Sequence, residues 1–163
     1  MSEYLKEAYQ ELKRAEHSLF VSLKYTRTIE VISSIISRLV SFYDKVIDAL
    51  IELKSKKGTE IEIPKSPGLK GNIVKELFSE DAKIREEIEF YFLLRAIARS
   101  KKTAFSEYRK HVAIMVEIEG KDLKIDIEKI TEYYRRAQSF FGYVLENYFK
   151  LDMNYFNEIN DFY

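Results

Sequence analysis

Apolar residues recur along this chain at alternating steps of three and four. Ile29, Ile32, Ile36, Leu39, Tyr43, Val46, Leu50 and Leu53 form one such stripe, and Ile127, Ile130, Tyr134, Ala137, Phe141, Val144, Tyr148 and Leu151 form a second. Each set lies on one face of a long helix, and such a face needs partner helices to leave water. A shorter stripe, Leu5, Ala8, Leu12, Ala15, Leu19 and Leu23, predicts an opening helix with Ser2 as its N-cap. Thr26-Arg27-Thr28 marks the break before the second helix, which should run to about Lys57, where Gly58 supplies a stop.

Both prolines, Pro64 and Pro67, fall in the stretch 55–70, which reads as a loop, with Thr59-Glu60-Ile61-Glu62-Ile63 alternating as an extended segment would. Ser66-Pro67 predicts the start of a short third helix ending near Phe78. Ser79 is then expected to cap a fourth helix, with Glu80 and Asp81 at the positive end of its dipole. After Lys110 the period drops to two: Val112, Ile114, Val116 and Ile118, then Leu123, Ile125 and Ile127, with Glu119-Gly120 between. That is a β-hairpin over 111–127. A two-residue turn at Glu119-Gly120 pairs Val116 with Leu123 and Ile114 with Ile125; a four-residue turn over 119–122 also keeps the apolar rows together. The apolar face must cover the bundle or a partner. The fifth helix should begin at Asp126 or Ile127. The tail 151–163 is aromatic and acidic, without Lys or Arg. The expected fold is mainly α, an antiparallel bundle of about five helices with one β-hairpin before the last long helix, in a single domain over 1–163.

Composition narrows the function more than it names it. The 163 residues include 27 Lys and Arg against 27 Asp and Glu, so no global field recruits nucleic acid or membrane. Without cysteine the chain has no disulfide, thiolate metal site or thiol nucleophile. No apolar run approaches the roughly 20 residues of a membrane span, and the chain opens directly on an amphipathic helix. A cytoplasmic protein without membrane contact is expected. Frequent Lys, Glu and Ile point towards a thermophile.

With only His17 and His111, neither the Glu-x-x-His pattern of carboxylate-bridged bundles nor the zinc-protease pattern occurs, so no metal and no cofactor is expected. The helix start Lys65-Ser66-Pro67-Gly68-Leu69-Lys70-Gly71-Asn72 lacks the ending of a P-loop and reads as loop and cap more readily than as an anion site. The strongest local signal is basic. Arg95, Arg99, Lys101, Lys102, Arg109 and Lys110 are opposed only by Glu107 within the seventeen residues that end at His111, and Phe105 and Tyr108 lie among them. Such a stretch can hold phosphates and stack bases, or it can simply place cations at the negative end of a helix. Arg95 continues the apolar stripe Ile84, Ile88, Tyr91, so its guanidinium needs a carboxylate, a partner chain or a ligand.

The order of parts resembles the HEPN group of helical bundles, named for higher-eukaryote and prokaryote nucleotide-binding domains. The opening Tyr4-Leu5-Lys6-Glu7-Ala8 helix, the long helix with Ser41-Phe42-Tyr43 and Ala49-Leu50-Ile51, the helix ending Phe92-Leu93-Leu94-Arg95 and the helix Tyr134-Arg135-Arg136-Ala137-Gln138-Ser139-Phe140 carry the likeness, over most of 1–150. The first half is also similar to small uncharacterised archaeal proteins. The resemblance implies a helical bundle that dimerises and, in active members, an Arg followed after four to six residues by a His. No Arg of this chain is so placed before His17 or His111, and the hairpin is a second departure. Family-type RNA cleavage is therefore not implied.

Two function classes remain. One is a non-catalytic helical binding or scaffold module, with a homodimer among its possible forms and its hairpin face and tail as docking elements. The other is an RNA- or nucleotide-binding module using Arg95, Arg99, Lys101, Lys102, Arg109, Lys110 and His111. An enzyme would need a site built from Arg95, Arg109, His111 and a carboxylate such as Glu128, and is the weakest of the readings.

Overall fold

Ser2 Oγ accepts the backbone N–H of Tyr4 at 3.2 Å and starts α1 (Glu3–His17), which runs on through a π-turn at Ser18–Ser22 and a last turn at Leu23–Tyr25. The computed structural model describes residues 2–58 and 62–160. Thr28 Oγ1 accepts from the N–H of Val31 at 3.4 Å to open α2 (Ile29–Lys56), and Gly58, at φ +85°, turns the chain out of it. Most of the alternating segment 59–63 lies outside the described residues. The short α3 (Pro67–Leu77) begins at the expected proline, although the Ser66 side chain makes no capping bond. Then come α4 (Ala82–Arg99), β1 (Thr103–Phe105), β2 (Ala113–Ile118), β3 (Lys121–Asp126), α5 (Ile127–Val144) and α6 (Met153–Asn160). Asp126 Oδ1 caps α5 through the N–H of Lys129 at 2.8 Å. α5 continues through a second π-turn, Leu145–Phe149, and stops where Lys150 takes the left-handed conformation. The fold is mainly α with a small antiparallel sheet before the last long helix, and no described helix is long and apolar enough to cross a membrane.

α2 is the central element, with α1, α3, α4, α5 and β2 packed around it. The stripes explain why. Ile32, Ile36, Leu39, Tyr43, Val46 and Leu50 are fully buried, as are Ile130, Ala137, Phe141 and Val144 of α5 and Leu5, Ala8 and Ala15 of α1. Aromatic rings fill the space between helices: Tyr43 stacks on Phe140 at 5.6 Å and meets Phe42 and Phe90 edge-on. Gly71 lets the Phe92 ring of α4 lie close on α3, since a Cβ there would lie 2.8 Å from that ring.

The sheet order is β1-β2-β3, antiparallel throughout. The hairpin closes through two residues, Glu119 at φ +52° and Gly120 at φ +78°, so the two-residue turn is the one adopted and Val116 faces Leu123 while Ile114 faces Ile125. Both central residues having positive φ is the type I′ geometry, whose twist matches that of the strands. Ile114, Val116 and Ile125 cover the bundle, and Thr103, Met115 and Lys124 share the outer face. β1 was not foreseen. It has three residues, all exposed, and joins the sheet through Ala104 opposite Ile114.

Ser79 is not the cap of α4. Asp81 Oδ1 accepts the N–H of Ile84 at 3.1 Å, because the turn Phe78–Asp81 (N–H of Asp81 to the Phe78 carbonyl, 2.9 Å) moves the helix start two residues on, to an Asp that caps equally well. The tail docks on its own bundle. Phe156 is buried against Tyr9 at 5.1 Å and Phe141 at 5.5 Å, and the Tyr9 hydroxyl donates to Asn157 Oδ1 at 2.6 Å. Phe162 and Tyr163 lie outside the described residues.

Candidate functional site

The basic stretch begins where α4 ends. Ser100 Oγ donates to the Ala96 carbonyl at 2.6 Å, and the Lys102 ammonium donates to the carbonyls of Ala98 and Ser100 at 3.0 and 2.9 Å. Lys102 thus closes the negative end of α4, as a cation in that position is suited to do. Arg95 turns to the interior side. Its guanidinium lies over the Tyr91 ring at 5.7 Å and beside Gly68 of α3, where an added Cβ would stand 3.0 Å from Nη1. Asp44 of α2 feels its charge. Burial raises the Asp44 carboxyl above its ordinary value against the opposing pull of the Tyr91 hydroxyl and Arg95. Arg95 and Lys102 are therefore engaged within the fold.

The loop 106–111 is held in a fixed shape. Ser106 and Tyr108 have positive φ, the N–H of Arg109 reaches the Ser106 carbonyl at 3.3 Å, and the N–H of Val112 reaches that of Arg109 at 3.0 Å. It docks on the break between α1 and α2: the N–H of Tyr108 donates to the Arg27 carbonyl at 2.6 Å, and Glu107 Oε1 accepts the N–H of Ile29 at 3.1 Å. The only acid of the basic stretch is consequently occupied at the N-terminus of α2. This docking places Tyr108 next to Lys24-Tyr25-Thr26-Arg27. Tyr25 is 78% exposed, Tyr108 74% and Phe105 48%. Lys24, Arg99, Lys101, Arg109, Lys110 and His111 are also exposed, and among the described residues none of these cations forms an ion pair. Lys6, Lys13, Arg14, Arg38, Lys45, Lys56, Lys70 and Lys75 on the rest of the bundle do, whereas the exposed Arg85, Lys121 and Lys150 stand singly and apart from aromatic neighbours of this kind. The Nε of Arg27 is buried without a partner.

The contribution of Lys24, Tyr25 and Arg27 was missed by sequence reasoning. An exposed aromatic between two cations was the available signal, but it lies some eighty residues from the basic stretch, and only the docked loop joins the two. His111 and Glu128 share no hydrogen bond or ion pair among the described residues, because the ladder ends at Ala113 and Asp126 and the chain then turns into α5. No group of three or more described His, Asp or Glu residues converges as a metal site would require.

Two further polar groups lie in the bundle. Glu87, 1% exposed, accepts the Tyr43 hydroxyl at 3.0 Å and the Nε of Arg136 at 2.5 Å. Burial, then the Glu87 charge, pushes the Tyr43 hydroxyl far above its ordinary value, so it serves as a fixed donor. Asp81 sits in a cleft of about 660 Å³ with Lys54, Phe78, Lys83, Tyr143 and Tyr148, and both tyrosine hydroxyls donate to its Oδ2. Its carboxyl is saturated by these bonds and the cap of α4. No family model, curated protein or solved structure matches the chain.

Proposed function

We propose that the chain is a binding module that holds single-stranded nucleic acid at its sheet-bearing end, with no bond-making step of its own. The observation that supports this is the set of exposed aromatics, Tyr25, Tyr108 and Phe105, interleaved with the unpaired cations Lys24, Arg99, Lys101, Arg109 and Lys110. Phosphates supply the charge these cations lack, and base–aromatic stacking needs no sequence-specific edge. In this reading Arg99, Lys101, Arg109 and Lys110 contact phosphates, Tyr25 and Tyr108 stack, His111 flanks the track, and Arg95 and Lys102 hold the surface in shape. The resemblance of the helix order to HEPN bundles accords with a nucleotide-bearing ligand met in the cytoplasm.

A second reading, a protein-binding scaffold, rests on Phe20 and Val21. Both are over 40% exposed at the π-turn of α1, and the Arg135 guanidinium lies 5.2 Å from the Phe20 ring centroid. Exposed aromatic and arginine side chains in contact are the residue types that dominate protein interfaces.

The test is fluorescence anisotropy of a labelled oligouridine against salt. Binding that weakens steeply with salt, falls about tenfold or more in Arg109→Glu/Lys110→Glu and falls in Tyr108→Ala supports the first reading. Equal behaviour of wild type and the charge-reversed variant overturns it. Loss of a co-purifying protein in Phe20→Ala, with oligouridine affinity unmeasurable, supports the second.

A further inference from the structure

β3 is an outer strand of the sheet, and its free edge carries an electrostatic problem. Asp122 stands directly opposite Glu117 of β2, both exposed on the outer face. Like charges so placed weaken an antiparallel ladder. Lys101 lines the same cleft of about 530 Å³ without reaching ion-pair distance of either carboxylate. The cation on the same face of the strand, Lys124, is turned away, with its ammonium 4.5 Å from the Phe105 ring centroid.

The turn determines what the edge offers. A two-residue turn closes on a hydrogen-bonded pair, so bonded pairs alternate from Ile118 and Lys121 through Val116 and Leu123 to Ile114 and Ile125. The backbone N–H and C=O of Asp122 and Lys124 are then left facing outwards. Both side chains lie on the outer face, and Leu123, half-buried, lies on the inner one.

We infer that this edge pairs with the same edge of a second copy of the chain, antiparallel about a two-fold axis at Leu123. In that register Asp122 of each copy faces Lys124 of the other, Leu123 faces Leu123, and the outward backbone groups of Asp122 and Lys124 bond in pairs. The second copy's lysine supplies the cation that Glu117 and Asp122 lack, in place of a weak exposed contact with Phe105. Moving the register by two residues either way sets Asp122 against Asp122, or Lys124 against Lys124 and Asp122 against Asp126. One register therefore matches unlike charges and its neighbours oppose like ones, which specifies a closed two-fold dimer and not an open-ended stack. Of the cations assigned to nucleic acid only Lys101 lines this cleft, and the charge exchanges on β3 touch none of them, so the inference does not depend on the nucleic-acid reading.

The test is sedimentation of the full chain with charge exchange on β3. Wild type should be a dimer that dissociates more readily as salt is raised. Asp122→Lys and Lys124→Asp should each raise the dissociation constant at least about tenfold, and Asp122→Lys/Lys124→Asp, which restores the unlike pairs, should recover the dimer. Circular dichroism and melting establish that each variant is folded. A wild type that stays monomeric at its highest soluble concentration overturns the inference. So does a dimer indifferent to the single exchanges, or one that the double exchange fails to restore.

Discussion

Arg136 covers Glu87: its Nε donates to Oε2 at 2.5 Å, and its guanidinium lies 4.2 Å from the centroid of the Phe90 ring. Glu87 is the one buried carboxylate among the described residues, joined to α2 through Tyr43 and to α5 through Arg136. A buried ion pair contributes less than its Coulomb energy suggests, but removal of one partner leaves a charge uncompensated. Because Arg136 is 43% exposed, water screens part of that loss. Arg136→Ala should lower the unfolding free energy by about 2 kcal/mol. Glu87→Gln in the same background should recover at least about 1 kcal/mol, read as coupling in a double-mutant cycle by urea denaturation. Strictly additive effects would show that the pair does not act as a unit.

Asp81 predicts how the fold responds to acid. Burial alone would raise its carboxyl, but the hydroxyls of Tyr148 and Tyr143 and the N–H of Ile84 outweigh it and hold the group below its ordinary 3.8. The same carboxylate holds the Tyr143 hydroxyl up at about 12. A folded value below the unfolded one means the stabilisation is complete above 3.8 and is lost as pH falls from there through the folded value. Asp81→Ala should cost about 1 kcal/mol at neutral pH, the worth of an N-cap side chain. The difference in melting temperature from wild type should shrink at pH below 3.8; a constant difference across that range would refute the assignment.

The hairpin turn holds a side chain where one is disfavoured. Glu119 sits at φ +52° and Gly120 at φ +78°, with open space around the glycine. Glu119→Asn gives the residue pair that type I′ turns favour, so it should raise stability by about 0.5 kcal/mol. Gly120→Ala meets no steric neighbour yet should destabilise by about 1 kcal/mol, from the left-handed backbone alone. Thermal melting of the two variants should move in opposite directions.

The parts of this fold that were legible in the sequence are those written as periodic burial. The three-and-four stripes gave α1, α2 and α5, because each stripe corresponds to one buried helix face, and strict alternation with Glu119-Gly120 gave β2 and β3. β1 escaped because its three residues are all exposed and leave no alternation to read. Ser79 and Asp81 are both good caps, and nothing local chooses between them. The candidate site was only half legible. Its cations were visible as a cluster, and Lys102 on the end of α4 follows the local reading of a cation at a helix terminus, but Arg95 beside Gly68 is a tertiary outcome that the charge pattern does not carry. The aromatic that completes the surface, Tyr25, comes from the α1–α2 break, joined to the loop by the bonds from Tyr108 to Arg27 and from Ile29 to Glu107.

The tail is a structural part of the bundle, and its weight should fall mainly on one residue. Phe156 is 2% exposed and contacts Tyr9 and Phe141, whereas its neighbours Asn154 and Asn157 are exposed. Deleting an aromatic ring from such a site usually costs about 3–5 kcal/mol, less where the segment can lift away and leave no sealed cavity. α6 is joined to α5 through the left-handed break at Lys150 and can do so, which sets the expectation for Phe156→Ala at about 2–3 kcal/mol. Tyr9→Phe keeps the ring stack and removes only the hydrogen bond to Asn157, so it should cost about 1 kcal/mol. Amide exchange should then show the segment 151–160 losing protection in Phe156→Ala while α2 keeps its own. If α2 lost protection to the same extent, α6 would be part of the cooperative core and not a separately docking segment.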